Sequence, residues 1–182
     1  MVATTAPFGA TASEPAVVYL PACYEADPAR RFPVLYLLHG AGNTEQQWPD
    51  VGIAAAADAV IGSGDIGPMI IVLPNGGPGL PHTLVEQVSD QLNPWADTTY
   101  RTIAQRSGRA IGGISRGGAI ALLAAAAHPE LFQAVGGHSP PPSTKPTWPG
   151  CPPGWRNWGP TRSSTSATTT RCATAWKDSP ND

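Results

Sequence analysis

Five residues have the types and spacing of a turn that carries a nucleophilic serine: Gly113-Ile114-Ser115-Arg116-Gly117. In this pattern a sharp strand-to-helix turn exposes the serine hydroxyl for attack on an ester carbonyl. The pattern alone is weak evidence for a nucleophile, because a chain with 20 glycines can match it by chance. Its position strengthens it, since an apolar strand is predicted over Arg109 to Ile114 and an alanine-rich helix over Arg116 to Ala127. No room remains for a conventional loop, so Ser115 is predicted to occupy a tight, strained turn.

The flanking glycines have a physical reason in this reading. Without a Cβ, Gly113 and Gly117 let neighbouring backbone pass close to the turn. Two other readings stay open at this point. The segment is also compatible with a glycine-rich turn that merely packs well, or with one that holds an anion at the helix N-terminus.

A second glycine-rich turn, His39-Gly40-Ala41-Gly42, follows a strongly apolar strand. A turn at this place supplies the second donor of an oxyanion hole, the pair of N–H groups that stabilises negative charge on the attacked carbonyl oxygen. The predicted donors are the backbone N–H groups of Ala41 and Arg116. His39 is predicted to hydrogen-bond and shape the loop with Gly40 rather than to act as a base. In enzymes built around a strand-to-helix serine turn of this kind, the catalytic histidine follows the serine in chain order.

The elements that would position these residues alternate between strand and helix. Such alternation predicts the α/β class, with a mostly parallel sheet flanked by helices. The apolar run from Pro33 to His39 suits a central strand that is buried on both faces. The other predicted strands are Ala16 to Leu20, Pro68 to Leu73, Arg109 to Ile114 and Phe132 to Gly137, and the predicted helices are Trp48 to Ile61, Thr83 to Tyr100 with Pro94 kinking or ending it, and Arg116 to Ala127.

The composition excludes several classes of binding partner. The formal net charge is -2 with only 13% charged residues, so no basic surface for nucleic acid is expected. The 3 cysteines are too far apart for a metal knuckle or a redox pair, and no metal site is predicted. No run of apolar residues is long enough to span a membrane, and no signal peptide is visible, so a cytoplasmic location is expected, with secretion as the alternative if the start is misassigned. The sequence leaves the oligomeric state open.

Several segments together resemble the esterases of the esterase D type, which include S-formylglutathione hydrolases and feruloyl esterases. The resemblance lies in VLYLLHGAGNTEQQW, IIVLPNG, NPWADTTYRTIAQRSGRAIGGISRGG and HPELFQAVGGHSP, in that order. It implies an α/β-hydrolase fold and hydrolysis of small esters or acylated sugars through an acyl-enzyme on Ser115, with no cofactor. Acyl transfer to an acceptor other than water would use the same residues. A binding or scaffold domain that has kept the fold without catalysis is the other alternative.

The resemblance stops near Pro140, and the composition changes there. Residues 139–182 contain no Leu, Ile, Val, Met, Phe or Tyr, but hold four of the 6 tryptophans. The predicted organisation is a flexible N-terminus (1–15), a partial α/β-hydrolase domain (16–138) that lacks its last strands, and a non-globular tail (139–182). Our hypothesis is a truncation or frameshift shortly after Pro140, with a genuine interaction tail as the alternative.

Relatives of this type take the acid and the histidine of the catalytic triad from strands beyond this point. The triad histidine and acid are therefore unknown in this chain. Of the histidines after Ser115, His128 is predicted to cap a helix about 15 to 20 Å from the turn, which is too far for a hydrogen bond. His138 ends the strand beside Ser115 and is the remaining candidate, although nothing in the sequence places a carboxylate behind it.

Overall fold

The computed structural model describes residues 1–11, 13–77 and 82–141 with their side chains, and residues 81 and 169–171 by their backbone. Within these residues seven strands form one sheet. They are β1 (Val2–Ala6), β2 (Glu14–Tyr19), β3 (Val34–Leu38), β4 (Ile70–Pro74), β5 (Arg109–Ile114), β6 (Ala134–His138) and β7 (Thr169–Arg171). Their order is β1-β2-β4-β3-β5-β6-β7. The four strands β4, β3, β5 and β6 run parallel, and the pairs at both edges are antiparallel.

Helices pack on both faces of this sheet. They are α1 (Gln47–Asp50), α2 (Ile53–Gly62), α3 (Pro81–Gln87), a π-helical turn (Val88–Leu92), α4 (Asn93–Thr99), a 3₁₀ turn (Arg106–Gly108) and α5 (Arg116–Ala127). Both β5 and α5 begin and end at the predicted residues. None of the helices in the described ranges has the length and apolarity that crossing a membrane requires.

Strand β3 lies in the middle of the sheet, as predicted, and divides its side chains between two cores. Val34, Tyr36 and Leu38 point into the larger core with residues of α3, α4 and α5. Leu35 and Leu37 pack against a smaller core that includes residues of α2. This alternation is the normal consequence of strand geometry, and burial on both faces explains the continuous apolar run.

The helix predicted over Thr83 to Tyr100 is interrupted before Pro94 rather than at it. The N–H of Asn93 bonds to the carbonyl of Val88, five residues back, which is the spacing of a π-helix. Proline lacks an N–H and its ring clashes with the carbonyl four residues earlier, so the wider turn accommodates Pro94 at the start of α4.

The helix predicted over Trp48 to Ile61 is two helices. Between α1 and α2 the chain passes through Gly52, whose φ of 83° lies in the left-handed region. Glycine adopts this conformation without steric cost, and it ends a helix readily. The expectation of one continuous helix was therefore wrong.

The prediction for the N-terminus was also wrong. Residues 1–15 were expected to be flexible, but β1 pairs antiparallel with β2 from Val2 opposite Val18 to Ala6 opposite Glu14. Ala6 and Phe8 are each only 1% exposed, so the segment contributes to the larger core. Burial of Phe8 provides the driving force that the weak strand pattern of Val-Ala-Thr-Thr-Ala did not indicate.

At the other end of the sheet, a domain that ended at residue 138, as predicted, would leave β6 as an unpaired edge. Instead β7 pairs antiparallel with it, with Gly136 opposite Arg171 and His138 opposite Thr169. The rest of the predicted tail, 142–168 and 172–182, lies outside the described residues. Within the described residues a groove of about 370 Å³ lies over β3, β5 and β6, and residues that include Leu35, Leu37, Trp48, Gly112, Gly136 and His138 line it.

A buried ion pair joins α4 to the start of β5. The Arg109 guanidinium lies 2.5 Å from the Asp97 carboxylate, and their side chains are 9% and 18% exposed. The Thr102 hydroxyl donates to the other carboxylate oxygen of Asp97. Burial raises the pKa of the nearby Tyr36, so its phenol stays protonated. These contacts fix where β5 begins, and β5 leads directly to Ser115.

Candidate active site

Ser115 forms the whole connection between β5 and α5. Its backbone has φ 52° and ψ -117°, a conformation that costs energy for a residue with a side chain. Its N–H donates to the carbonyl of His138 at 2.8 Å, and its own carbonyl accepts the N–H of Ala119 at 3.0 Å. The tight, strained turn predicted from the sequence is confirmed. Ser115 itself is half-buried, at the carboxyl end of the parallel strands.

The two flanking glycines are required by close backbone packing. A Cβ on Gly113 would lie 2.5 Å from the carbonyl carbon of Gly117, and a Cβ on Gly117 would lie 2.3 Å from the carbonyl oxygen of Leu38. Real Cβ atoms do not approach so closely. The first turn of α5 therefore packs backbone against backbone on β5 and on the end of β3, which confirms the close approach predicted for Gly113 and Gly117.

Both ring nitrogens of His39 are engaged in loop contacts. Its Nε2 accepts the N–H of Gly76 at 3.0 Å, so Nδ1 must carry the proton that it donates to the carbonyl of Gly40 at 2.8 Å. Burial lowers the pKa of His39, and the charge of Arg116 lowers it further, while the bond to Gly40 opposes the shift. The imidazole is 5% exposed and neutral. His39 thus joins the loops after β3 and β4, in agreement with the shaping role predicted for it.

The loop after β3 lies beside the serine turn. A Cβ on Gly40 would lie 3.7 Å from both the carbonyl oxygen and Cγ2 of Ile114, the residue before Ser115. Ala41 is exposed and makes no hydrogen bond within the described residues. An N–H without a hydrogen-bond partner in the protein is what an oxyanion donor needs before substrate arrives.

Arg116, the second predicted donor, also holds the site with its side chain. Its backbone N–H lies at the start of α5, directly after Ser115. Its guanidinium donates to the carbonyl of Gly77 at 2.6 Å, and burial lowers its pKa. Arg116 and His39 therefore tie the same loop, residues 74–77, to the site. The donor roles of Ala41 and Arg116 stay predictions.

Of the 4 histidines in the chain, only His138 adjoins Ser115. Its backbone pairs with Ile114 and its side chain is exposed, and no carboxylate contacts it within the described residues. His128 is the C-cap of α5, as predicted, with its N–H bonded to the carbonyl of Ala124. His82 lies exposed on α3.

Two polar contacts at the site were missed by the sequence reasoning. Gln47 Oε1 accepts the N–H of Gly40 at 2.8 Å, and Asn75 Oδ1 accepts the N–H of Gly77 at 2.8 Å. Both side chains lie in segments that carry the family resemblance, but neither follows a pattern that assigns it a contact. A glutamine just beyond a glycine-rich turn was the only available signal. No group of three or more potential ligands for a metal ion occurs among the described residues.

A strained serine turn at the carboxyl end of a mostly parallel sheet flanked by helices defines the α/β-hydrolase class, and solved structures agree. The chain is similar to a ferulic acid esterase with a TM-score of 0.66 and 32% identity, over 74% of this chain and 56% of that one. It is also similar to a serine-to-alanine mutant of the feruloyl esterase module from Clostridium thermocellum complexed with sinapinate. There the TM-score is 0.65 and the identity 26%, over 74% and 51% of the two chains. The predicted fold is confirmed.

The chain belongs to the family described as "Putative esterase", whose profile matches residues 12–178. Esterase Rv1288 of Mycobacterium tuberculosis H37Rv is 34% identical over 139 residues, which cover 70% of this chain and 29% of that protein. The endo-1,4-beta-xylanase/feruloyl esterase of Xylanibacter ruminicola is 34% identical over 129 residues, covering 63% and 18%. The chain thus spans less than a third of these relatives and about half of the solved structures. The family match confirms the resemblance seen in the sequence, but it extends to residue 178, beyond Pro140, where the resemblance was expected to stop.

Proposed function

We propose that this chain is a serine esterase in which Ser115 forms the acyl-enzyme. The single observation that supports this most is the strained turn at Ser115, which costs energy to hold. Strain kept at a serine beside two backbone donors suits a nucleophile.

In the proposed reaction the Oγ of Ser115 bonds to the ester carbonyl carbon while its proton passes to a base. The N–H groups of Ala41 and Arg116 stabilise the negative charge that develops on the carbonyl oxygen. The bond to the alcohol then breaks, and the alcohol leaves with the proton. Water adds to the acyl-enzyme and releases the acid, which restores the serine.

The proposed substrates are small esters or acylated sugars. The name of one relative and those of the similar solved structures indicate a narrower class, esters of aromatic acids such as ferulic acid. Transfer of the acyl group to an acceptor other than water would use the same residues of this chain.

We further propose that turnover by this chain alone is impaired. His39 is neutral and engaged at both ring nitrogens, His128 lies at the far end of α5, and His138 has no carboxylate contact within the described residues. Loss of the triad histidine lowers turnover about a million-fold in a protease of another fold, and leaves about 10³ to 10⁴ over water from the oxyanion hole and binding. We expect the same kind of residual rate here.

A fluorophosphonate probe followed by peptide mapping tests the nucleophile. We expect slow labelling at Ser115 that is lost in Ser115→Ala and retained in Ser139→Ala, a matched control because Ser139 is the other described non-glycine residue with positive φ. Absence of labelling at Ser115 would favour the non-catalytic scaffold. Fast turnover of p-nitrophenyl acetate, lost in both Ser115→Ala and His138→Ala, would contradict the impairment and identify His138 as the base.

A further inference from the structure

Gln47 is the first residue of α1 and is half-buried, with its side-chain oxygen directed at the loop after β3. Its Oε1 accepts the N–H of Gly40 at 2.8 Å. The neighbouring Gln46, in contrast, is exposed and its amide reaches only Glu45. Gln47 therefore contacts the loop that carries Ala41.

The peptide plane between His39 and Gly40 is held from both sides. The peptide is planar and trans, so the N–H of Gly40 and the carbonyl of His39 point in opposite directions. Gln47 bonds the N–H. The carbonyl oxygen lies against the first turn of α5, where a Cβ on Gly117 would be 2.5 Å from it. Rotation of this plane would break the Gln47 bond or collide with the serine turn.

The next plane, between Gly40 and Ala41, is held only through its carbonyl. The carbonyl oxygen of Gly40 accepts the ring N–H of His39 at 2.8 Å and the backbone N–H of Asn43 at 3.2 Å. The N–H of Ala41 must therefore point the opposite way, and it makes no hydrogen bond within the described residues. Because glycine at position 40 allows many φ and ψ values, the chain alone does not fix this plane relative to the one before it, so a defined position of the N–H requires that both planes be held.

We propose that Gln47 is a positioning residue for the oxyanion hole: by binding the N–H of Gly40, it fixes the loop so that the N–H of Ala41 is directed at the oxyanion. The proposal rests on the proposed function of Ser115. A donor that is already oriented stabilises the developing charge without reorganisation, and a misplacement of about 1 Å can cost about a hundredfold in rate. Loss of Gln47 should therefore affect the chemical step rather than the binding of substrate.

Three variants of the full chain test this by the kinetics of Ser115 acylation with p-nitrophenyl acetate. Gln47→Leu keeps the volume but removes the acceptor, and we expect the rate constant to fall about ten- to a hundredfold with a half-saturating concentration within about twofold of the wild type. Gln47→Glu keeps an acceptor oxygen and should restore the rate constant to within about threefold. Gln46→Leu, the matched control, should behave as the wild type.

An unchanged rate constant in Gln47→Leu, an equal loss in Gln46→Leu, or no recovery in Gln47→Glu would overturn the proposal. If the wild type is not acylated at Ser115, the proposed function fails, and amide hydrogen exchange then judges Gln47 separately. Faster exchange at Gly40 in Gln47→Leu than in Gln46→Leu would show that Gln47 holds the loop. Equal exchange in the two variants would overturn the positioning role as well.

Discussion

The backbone N–H of Ser115 donates to the backbone carbonyl of His138 at 2.8 Å, so the serine turn is tied to the end of β6. This bond continues the parallel pairing of β5 with β6, in which Ile114 lies opposite His138. The side chain of His138 takes no part in it. The contribution of His138 to the position of Ser115 is therefore independent of its imidazole.

We expect His138→Ala to leave both stability and fluorophosphonate labelling of Ser115 nearly unchanged. The carbonyl that holds the turn remains in the variant, and exposed side chains usually contribute within about 0.5 kcal/mol. Urea unfolding and labelling rates check this. A large loss of labelling with unchanged unfolding would instead show that the imidazole serves as the base.

Ser115→Gly should stabilise the protein by about 1 kcal/mol. Positive φ at a non-glycine residue costs about 1–3 kcal/mol, and the greater freedom of glycine in the unfolded chain offsets part of the gain. Ser107→Gly is the control, because the backbone there lies outside the positive-φ region and the variant should be destabilised. Equal effects of the two substitutions on urea unfolding would contradict strain at Ser115.

Gly117→Ala should destabilise the protein by more than about 2 kcal/mol. Its Cβ would lie 2.3 Å from the carbonyl oxygen of Leu38, so backbone must move. Gly62→Ala is the matched control on α2, since nothing lies within 4 Å of its Cβ and alanine favours a helix. Thermal unfolding of the two variants should shift in opposite directions.

Asp97→Asn should cost about 3–5 kcal/mol, because it leaves the buried Arg109 without its counter-charge. Replacing both partners by apolar residues, as in Asp97→Leu with Arg109→Met, should recover much of this loss. A double-mutant cycle measured by urea unfolding tests it. Additive losses in the double variant would show that the two charges do not stabilise each other.

Stability should decrease through His39 as the pH falls through the unfolded-state pKa of about 6.5. Burial lowers its pKa below the ordinary 6.5, so in this range the unfolded chain takes up a proton that the folded chain does not. The stabilisation is present above pH 6.5 and is lost as the pH falls. His39→Gln should flatten the pH dependence of the urea unfolding midpoint. His82→Gln, which replaces an exposed histidine, should leave that pH dependence as it is in the wild type.

Much of the central sheet could be predicted from the sequence. Strong apolar runs and the motif at Ser115 fixed β5 and α5 to the residue, because burial and turn chemistry both act locally there. Strand β1 was not predictable in this way. Its residues 2–6 show no apolar alternation, and they are ordered by pairing with β2 and by burial of Phe8.

The candidate site likewise contains residues that could be predicted from the sequence and residues that could not. Ser115, Gly113 and Gly117 are readable from the sequence, since the strained turn needs those residue types at that spacing. The contact made by Gln47 and the contact made by the Arg116 side chain could not be predicted from the sequence. Their partners are backbone groups of loops distant in the chain, and the meeting of these loops is set by strand order rather than by any local pattern.

The pairing of β3 with β5 brings Val34 next to Arg109, and the turn at Ser115 is completed only when β6 supplies its carbonyl. These are contacts between residues far apart in the chain, and closing such long loops slows folding. We expect the serine turn to form late, after β3, β4 and α5 have collapsed together. During synthesis on the ribosome, the nucleophile therefore takes its shape only once residue 138 has emerged.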